Sequence, residues 1–167
     1  MDPLLQKLND RTAKVVVVGQ GYVGLPVAVR ASEVGFANVV GFEVSAERVK
    51  ALQTGNSFVG DVSDDELAAA LARGYLATDD PTDLAGFDVA VISVPTPLND
   101  GMPDLSYIEQ AGATLGAHLR TGACVVLEST TYPGTTTELL GPVLEEASGL
   151  SSGEYCLGYS PERIDPG

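Results

Sequence analysis

The sequence is short of basic residues, cysteine and histidine, and it contains no tryptophan. Nine lysines and arginines face 23 acidic side chains, a formal net charge of −14. Duplex nucleic acid is gripped by a basic face that releases counterions, and anionic lipid draws on the same charge, so neither is expected as a partner. An anionic small ligand stays compatible with this balance if local backbone N–H groups and a few placed arginines hold it. The cysteines, Cys124 and Cys156, match neither a zinc spacing nor a disulfide framework. Each falls in an apolar strand pattern and reads as a small core residue. His118, the only histidine, falls in the last turn of a predicted helix and reads as a surface residue suited to that helix end. No apolar run approaches the roughly 18 residues of a membrane helix. The N-terminus is acidic and polar between its leucines, unlike an export signal, and a reducing cytoplasmic location is the expectation.

What is present is a chain of 167 residues, 44% hydrophobic, with 19 glycines and 10 prolines. That length suits one domain over 1–167, able to bury roughly 70% of its unfolded surface without a metal or disulfide staple. Residues 1–12 form an amphipathic lead-in with Leu4, Leu5 and Leu8 on one helical face. Val15–Val18 is a β-branched run ending at Gly19, apolar on both faces as a buried parallel strand is. A helix follows over Tyr22–Val34, closed by Gly35. Strands are predicted at Val39–Glu43, Leu76–Thr78, Phe87–Ser93, Ala123–Glu128 and Tyr155–Tyr159. Helices are predicted at Ala46–Gln53, Asp64–Arg73, Leu105–Leu119 and Thr135–Ser148, the last kinked because Pro142 lacks a backbone donor. The acidic run Asp61–Glu66 reads as the solvated start of its helix.

Such alternation of strand and helix implies an α/β fold, a doubly wound Rossmann-type parallel sheet of order 3-2-1-4-5-6 between two helical layers. Ligands of such sheets gather at the carboxyl ends of the strands, where the following motifs fall. Gly19-Gln20-Gly21-Tyr22-Val23-Gly24 links the first strand to its helix. Gly19 allows the tight turn, Gly21 the approach of a pyrophosphate, and Gly24 the close packing of helix on strand. The helix N-terminus offers free N–H donors and partial positive charge. Glu43, at the tip of the second strand, is placed to accept from a ribose diol and to repel a 2′-phosphate, which favours NAD over NADP. Val94-Pro95-Thr96-Pro97 follows the fourth strand as an extended loop bordering the cofactor crevice, or a merely rigid one. In Ser129-Thr130-Thr131-Tyr132-Pro133-Gly134-Thr135 the hydroxyls suit helix capping first, and otherwise a water or a nicotinamide. Ser160-Pro161-Glu162-Arg163 sets a carboxylate beside a guanidinium, suited to acid–base work and anion binding or to a solvated loop.

Taken in order, VVVVGQGYVGLPVA, GFEVSAERV, SVPTPLNDGMPDLSYIE, STTYPGTT and YSPERIDPG resemble the nucleotide-sugar dehydrogenases of the UDP-glucose/GDP-mannose dehydrogenase family, over about Lys14 to Gly167. The wording is most similar to the branch acting on UDP-N-acetylhexosamines. The resemblance implies oxidation of a sugar's C6 alcohol to a carboxylate with two NAD reduced. It implies that Gly19, Gly21, Tyr22, Val23 and Gly24 form the pyrophosphate turn and that Glu43 and Arg48 contact the cofactor. Val94, Pro95, Thr96 and Ser129 would line the cofactor side. Thr130 would orient a water at the reaction centre, Glu162 would do acid–base work, and Glu162 and Arg163 would meet the UDP-sugar.

The same resemblance places the family's nucleophilic cysteine, its lysine and most of its uridine site in a later domain, after a long central helix. The chain is therefore expected to be the NAD-binding domain of a longer, homodimeric enzyme, itself monomeric and able to bind cofactor without turnover. No metal is expected. A second carboxylate often found four residues past the Glu162 equivalent is replaced by Pro166, which puts that cofactor contact in doubt. Competing readings are a UDP-glucose 6-dehydrogenase, a β-hydroxyacid-type dehydrogenase and a non-catalytic NAD-sensing module. The STTYPGTT and SPERIDPG blocks count against the second.

Overall fold

A computed structural model describes residues 2–161 of the chain. The strands of the main sheet are β1 (Lys14–Val18), β2 (Asn38–Phe42), β3 (Leu76–Thr78), β4 (Val89–Ile92), β7 (Cys124–Leu127) and β8 (Cys156–Tyr159). They are parallel and ordered β3-β2-β1-β4-β7-β8, the doubly wound order expected. The chain runs from β1 outward to β3, then returns across β1 to β4, so the loops after β1 and β4 diverge and open a crevice between them.

The strand composition explains the layers. β1 is a run of valines buried on both sides, and alternate side chains enter two different cores. Val16, Val18, Ala90, Ile92, Val125 and Leu127 pack against α5 (Ser106–Gly116) and α6 (Gly141–Ser148). Val15, Val17 and Val39 pack against α2 (Gly24–Glu33), α3 (Ala46–Gln53) and α4 (Asp64–Ala72). The second layer thins to one side. Over β4, β7 and β8 its face carries Val89, Val91, Cys124, Val126 and Gly158, all half-buried, and Cys156, which is exposed. α4 begins with a capping box in which Ser63 accepts from the Glu66 amide while Glu66 accepts from the Ser63 amide and hydroxyl, and these bonds hold the Glu66 carboxyl below its usual range.

Several expectations need correction. α2 starts at Gly24, not Tyr22, because the residues before it form the open turn. The helix predicted over Thr135–Ser148 has those bounds, but it is not α-helical throughout: Thr135–Leu140 is π-helical and α6 follows it directly, with Pro142 near the junction. His118 lies beyond the end of α5 and is half-buried. In α1 (Pro3–Asn9) none of the leucines is fully buried, and Leu5 is 55% exposed. The cysteines are not core residues, since Cys124 is half-buried and Cys156 exposed. After Pro97 the chain forms a small hairpin that the sequence pattern leaves unassigned. β5 (Leu98–Asn99) and β6 (Met102–Pro103) pair antiparallel about Asp100 and Gly101, with φ +50° and +81°. Positive φ at both central residues is the tight hairpin turn that Asp-Gly favours.

At the amino ends of the strands, Asp88 ties the lead-in to the sheet. It accepts from Lys7 Nζ at 2.8 Å, from the Lys14 amide at 2.8 Å and from Arg120. Burial alone raises its pKa, but the bonds from Lys7 and the Lys14 amide and the charges of Arg120 and Lys7 outweigh it, and the net shift is downward. A depressed carboxyl stabilises the fold fully above its unfolded value of about 3.9 and loses that contribution as pH falls through the folded value. Asp88→Asn is expected to lower stability at pH 7 by about 1–2 kcal/mol, since both cations still reach water, and to flatten the loss of stability on acidification. Urea melts of both forms between pH 7 and pH 3 measure this.

Candidate functional site

The glycine turn is shaped by contacts that leave no room for side chains. Gly19 leaves β1 with φ +89°, and a Cβ there would lie 2.5 Å from the Ser93 carbonyl oxygen. A Cβ on Gly24 would lie 1.8 Å from the Gly19 carbonyl oxygen and 2.4 Å from Ser93 Oγ, so α2 touches the end of β1 through this position. Gly21 differs, because a Cβ there would meet nothing within 4 Å. The protein does not need glycine at 21 for its own packing, and the space above it is open to a ligand. The amides of Gly21, Tyr22, Val23 and Gly24 find no acceptor among the described residues. Four converging donors at a helix start suit a diphosphate.

Glu43 sits one residue past β2 and is 6% exposed. Its carboxylate reaches across to the turn, accepting from the Gln20 amide at 3.2 Å and from the Ser45 amide at 3.1 Å, with Arg48 Nη1 3.7 Å away. These bonds fix its rotamer, and a carboxylate with about four lone-pair sites keeps capacity for a hydroxyl. The Arg48 guanidinium also lies over the Phe58 ring, 5.2 Å from its centroid. Beside them Val44 is 80% exposed. The Arg48–Phe58 stack and the exposed Val44 side chain put planar and apolar groups near Glu43, of the kind a purine stacks on.

Beneath the turn is a buried polar network. Gln20 donates from Nε2 to the Val17 and Gly19 carbonyls at 3.0 and 3.1 Å, and its Oε1 accepts from the Tyr75 hydroxyl at 2.7 Å. Gly41 makes way for it, since a Cβ there would lie 2.4 Å from Gln20 Oε1. Burial first, and the Glu43 charge second, push the Tyr75 hydroxyl well above its usual range, so it remains a donor. Neither Gln20 nor Tyr75 is signalled by the sequence pattern. A polar side chain between two glycines reads as solvent-facing, and its burial depends on the Gly41 gap one strand away.

On the other side of the crevice, Ser93 Oγ donates to the Gly19 carbonyl at 3.2 Å and so couples the β4 loop to the turn. Ser129 Oγ donates to the Val94 carbonyl at 2.9 Å and Thr96 Oγ1 to the Thr130 carbonyl at 2.6 Å, which brings the loops after β4 and β7 together. The capping reading of the threonine-rich loop is wrong. The N-cap position is Gly134, with φ +96° and no side-chain bond, while Thr131 and Thr135 share a 2.6 Å hydroxyl contact and Thr135 Oγ1 donates to the Tyr132 carbonyl. Thr130 is exposed and Pro95 is exposed. Glu162 and Arg163 lie outside the described residues. Ser160, held by a 2.9 Å bond from its amide to the Leu127 carbonyl, brings the chain to the same end of the sheet.

The arrangement therefore gathers Gly19, Gly21, Tyr22, Val23, Gly24, Glu43 and Arg48 at one wall of the crevice, and Val94, Pro95, Thr96, Ser129 and Thr130 at the other. Cys124 and Cys156 open β7 and β8 and so lie at the far end of the sheet. No group of three or more metal-ligating side chains occurs among the described residues.

The NAD binding domain of the UDP-glucose/GDP-mannose dehydrogenase family matches residues 13–167. The chain is 42% identical over 156 residues to UDP-N-acetyl-D-glucosamine 6-dehydrogenase of Pseudomonas aeruginosa, covering 92% of this chain and 36% of that protein. It superposes on the UDP-D-ManNAc dehydrogenase of Pyrococcus horikoshii with TM-score 0.84 at 37% identity, covering 92% of this chain and 37% of that one. It superposes on the NDP-N-acetyl-D-galactosaminuronic acid dehydrogenase of Methanosarcina mazei with TM-score 0.83 at 30% identity, covering 99% and 38%. The chain thus spans a little over a third of the relatives it matches.

Proposed function

The chain belongs to the UDP-glucose/GDP-mannose dehydrogenase family, as an NAD-binding domain of it, and from that premise we propose that it supplies the cofactor half of a UDP-N-acetylhexosamine 6-dehydrogenase. The observation that carries this reading is the pairing of four uncommitted amides at Gly21–Gly24 with the fixed Glu43 carboxylate beside them. In this reading the amides hold the diphosphate, Glu43 accepts from the adenosine ribose, and Arg48 on its Phe58 support covers the adenine. NAD supplies a hydride acceptor at the crevice. Thr96, Ser129 and Thr130 border the nicotinamide side, and Thr130 orients the water that the second oxidation consumes. Glu162 exchanges protons with the C6 oxygen or the attacking water, and Arg163 meets the anionic substrate.

Over the longer protein, one C6 alcohol, one water and two NAD would give a carboxylate, two NADH and three protons. The acyl-transfer part of such chemistry needs a thiolate. Cys124 and Cys156 stand at the wrong end of the sheet for it, so residues 1–167 alone bind NAD without forming uronic acid. The longer protein is proposed to be a cytoplasmic homodimer feeding polysaccharide synthesis.

Glu43→Ala tests the cofactor assignment. Two charge-assisted hydrogen bonds to the ribose are worth about 3 kcal/mol together, roughly 100-fold in affinity. Calorimetric titration of NAD into both forms measures it, with thermal melts to show that the variant is folded. An unchanged dissociation constant in a folded variant removes the ribose role from Glu43.

A further inference from the structure

Cys124 and Cys156 are separated widely in sequence, yet they are Cα partners in the parallel register of β7 and β8. Neighbouring strands run about 4.8 Å apart, and in-register residues of a parallel pair project to the same face. That spacing falls inside the Cα window of about 4.4–6.8 Å that a disulfide requires. Their face of the sheet is the thinly covered one, with Cys156 exposed and Cys124 half-buried beside it. Cys156 also lines a cleft of about 370 Å³ at the amino ends of the strands, together with Lys7, Asp88 and Arg120. Burial first, and the neighbouring Cys156 second, push the Cys124 thiol up.

We propose that Cys124 and Cys156 are a reversible thiol pair that oxidises to an intrachain disulfide joining β8 to β7. With a peroxide as oxidant, the exposed Cys156 thiolate attacks one peroxide oxygen. An S–O bond forms, the O–O bond breaks and hydroxide leaves. The Cys124 thiolate then displaces the second hydroxide from the sulfenic sulfur as the S–S bond forms. Two thiols and one hydrogen peroxide give one disulfide and two waters. The usual Cβ separation of a disulfide, about 3.5–4.5 Å, is shorter than the strand spacing, so the strands must draw together. β8 is an edge strand, with β7 as its only sheet neighbour among the described residues, and it takes up that movement. The residual strain keeps the bond easily reduced. The cross-link sits at the start of the strand whose far end delivers Ser160 and Pro161 to the crevice.

The test treats the chain with one equivalent of hydrogen peroxide, followed by thiol counting, non-reducing electrophoresis and peptide mapping. The expected product is a monomer with no free thiol and a Cys124–Cys156 peptide link that dithiothreitol reverses. As a second readout, the trivalent arsenical phenylarsine oxide should bind the reduced chain one to one, at least 100-fold more tightly than it binds Cys124→Ser or Cys156→Ser. An intermolecular dimer through Cys156, a sulfinate at Cys156 with Cys124 still free, or equal arsenical binding by all three forms would overturn the proposal.

Discussion

Gly24→Ala is expected to abolish measurable NAD binding and to cost about 3 kcal/mol of stability, the upper part of the range for overpacking. The new methyl would sit 1.8 Å from the Gly19 carbonyl oxygen and 2.4 Å from Ser93 Oγ. The first of these is backbone at the end of a buried strand, so no side-chain rotation relieves it. Relief comes only if α2 lifts off β1, and the amides at its start move with it. Gly21→Ala is the matched control. Its methyl meets no protein atom within 4 Å, so the melting temperature should hold while the diphosphate site is blocked. Thermal melts and NAD titrations of the two variants separate packing from binding. A Gly24→Ala protein with unaltered melting and affinity would show that the helix start does not carry the site.

Under the proposed function, Glu162→Gln in a full-length dehydrogenase carrying this domain is expected to lower UDP-sugar turnover by about 10²–10⁴-fold, the usual value of a positioned acid–base group, while NAD affinity stays unchanged. The amide keeps the shape and loses the proton exchange. Steady-state rates with UDP-N-acetylglucosamine and UDP-N-acetylmannosamine, alongside NAD titrations, measure both quantities. A module that only senses NAD would show no catalytic difference between the two forms, and turnover surviving in Glu162→Gln would remove the acid–base role.

The sheet was legible because its signals are local. The valine run of β1, the glycine turn and the matching bounds of α3 and β3 come from side-chain period and turn chemistry within a few residues. The wall formed by Gly19–Gly24 and Glu43 was legible for the same reason, since the loops of a parallel sheet share one end. What escaped depends on contacts between distant segments. Gln20 is buried because Gly41 and Tyr75 leave a polar hole for it, and no neighbouring residue announces that. Phe58 lies in a polar loop and gains meaning only from Arg48 above it. Strand membership of Cys124 and Cys156 was readable, but not their register or the cover on their face. The hairpin at Asp100-Gly101 is a different kind of miss. Its turn signal is local, and the two prolines before it dominate an extended reading.

The uneven second layer makes the domain firm on one flank and pliant on the other. β1 has a strand on either side and helices above and below, so the glycine turn is anchored to the part of the molecule that opens last. β8 pairs with β7 alone among the described residues, and one face of that edge carries the exposed Cys156 and the half-buried Gly158. One jaw of the crevice is thus an anvil, backed by strands on both sides and helices on both faces.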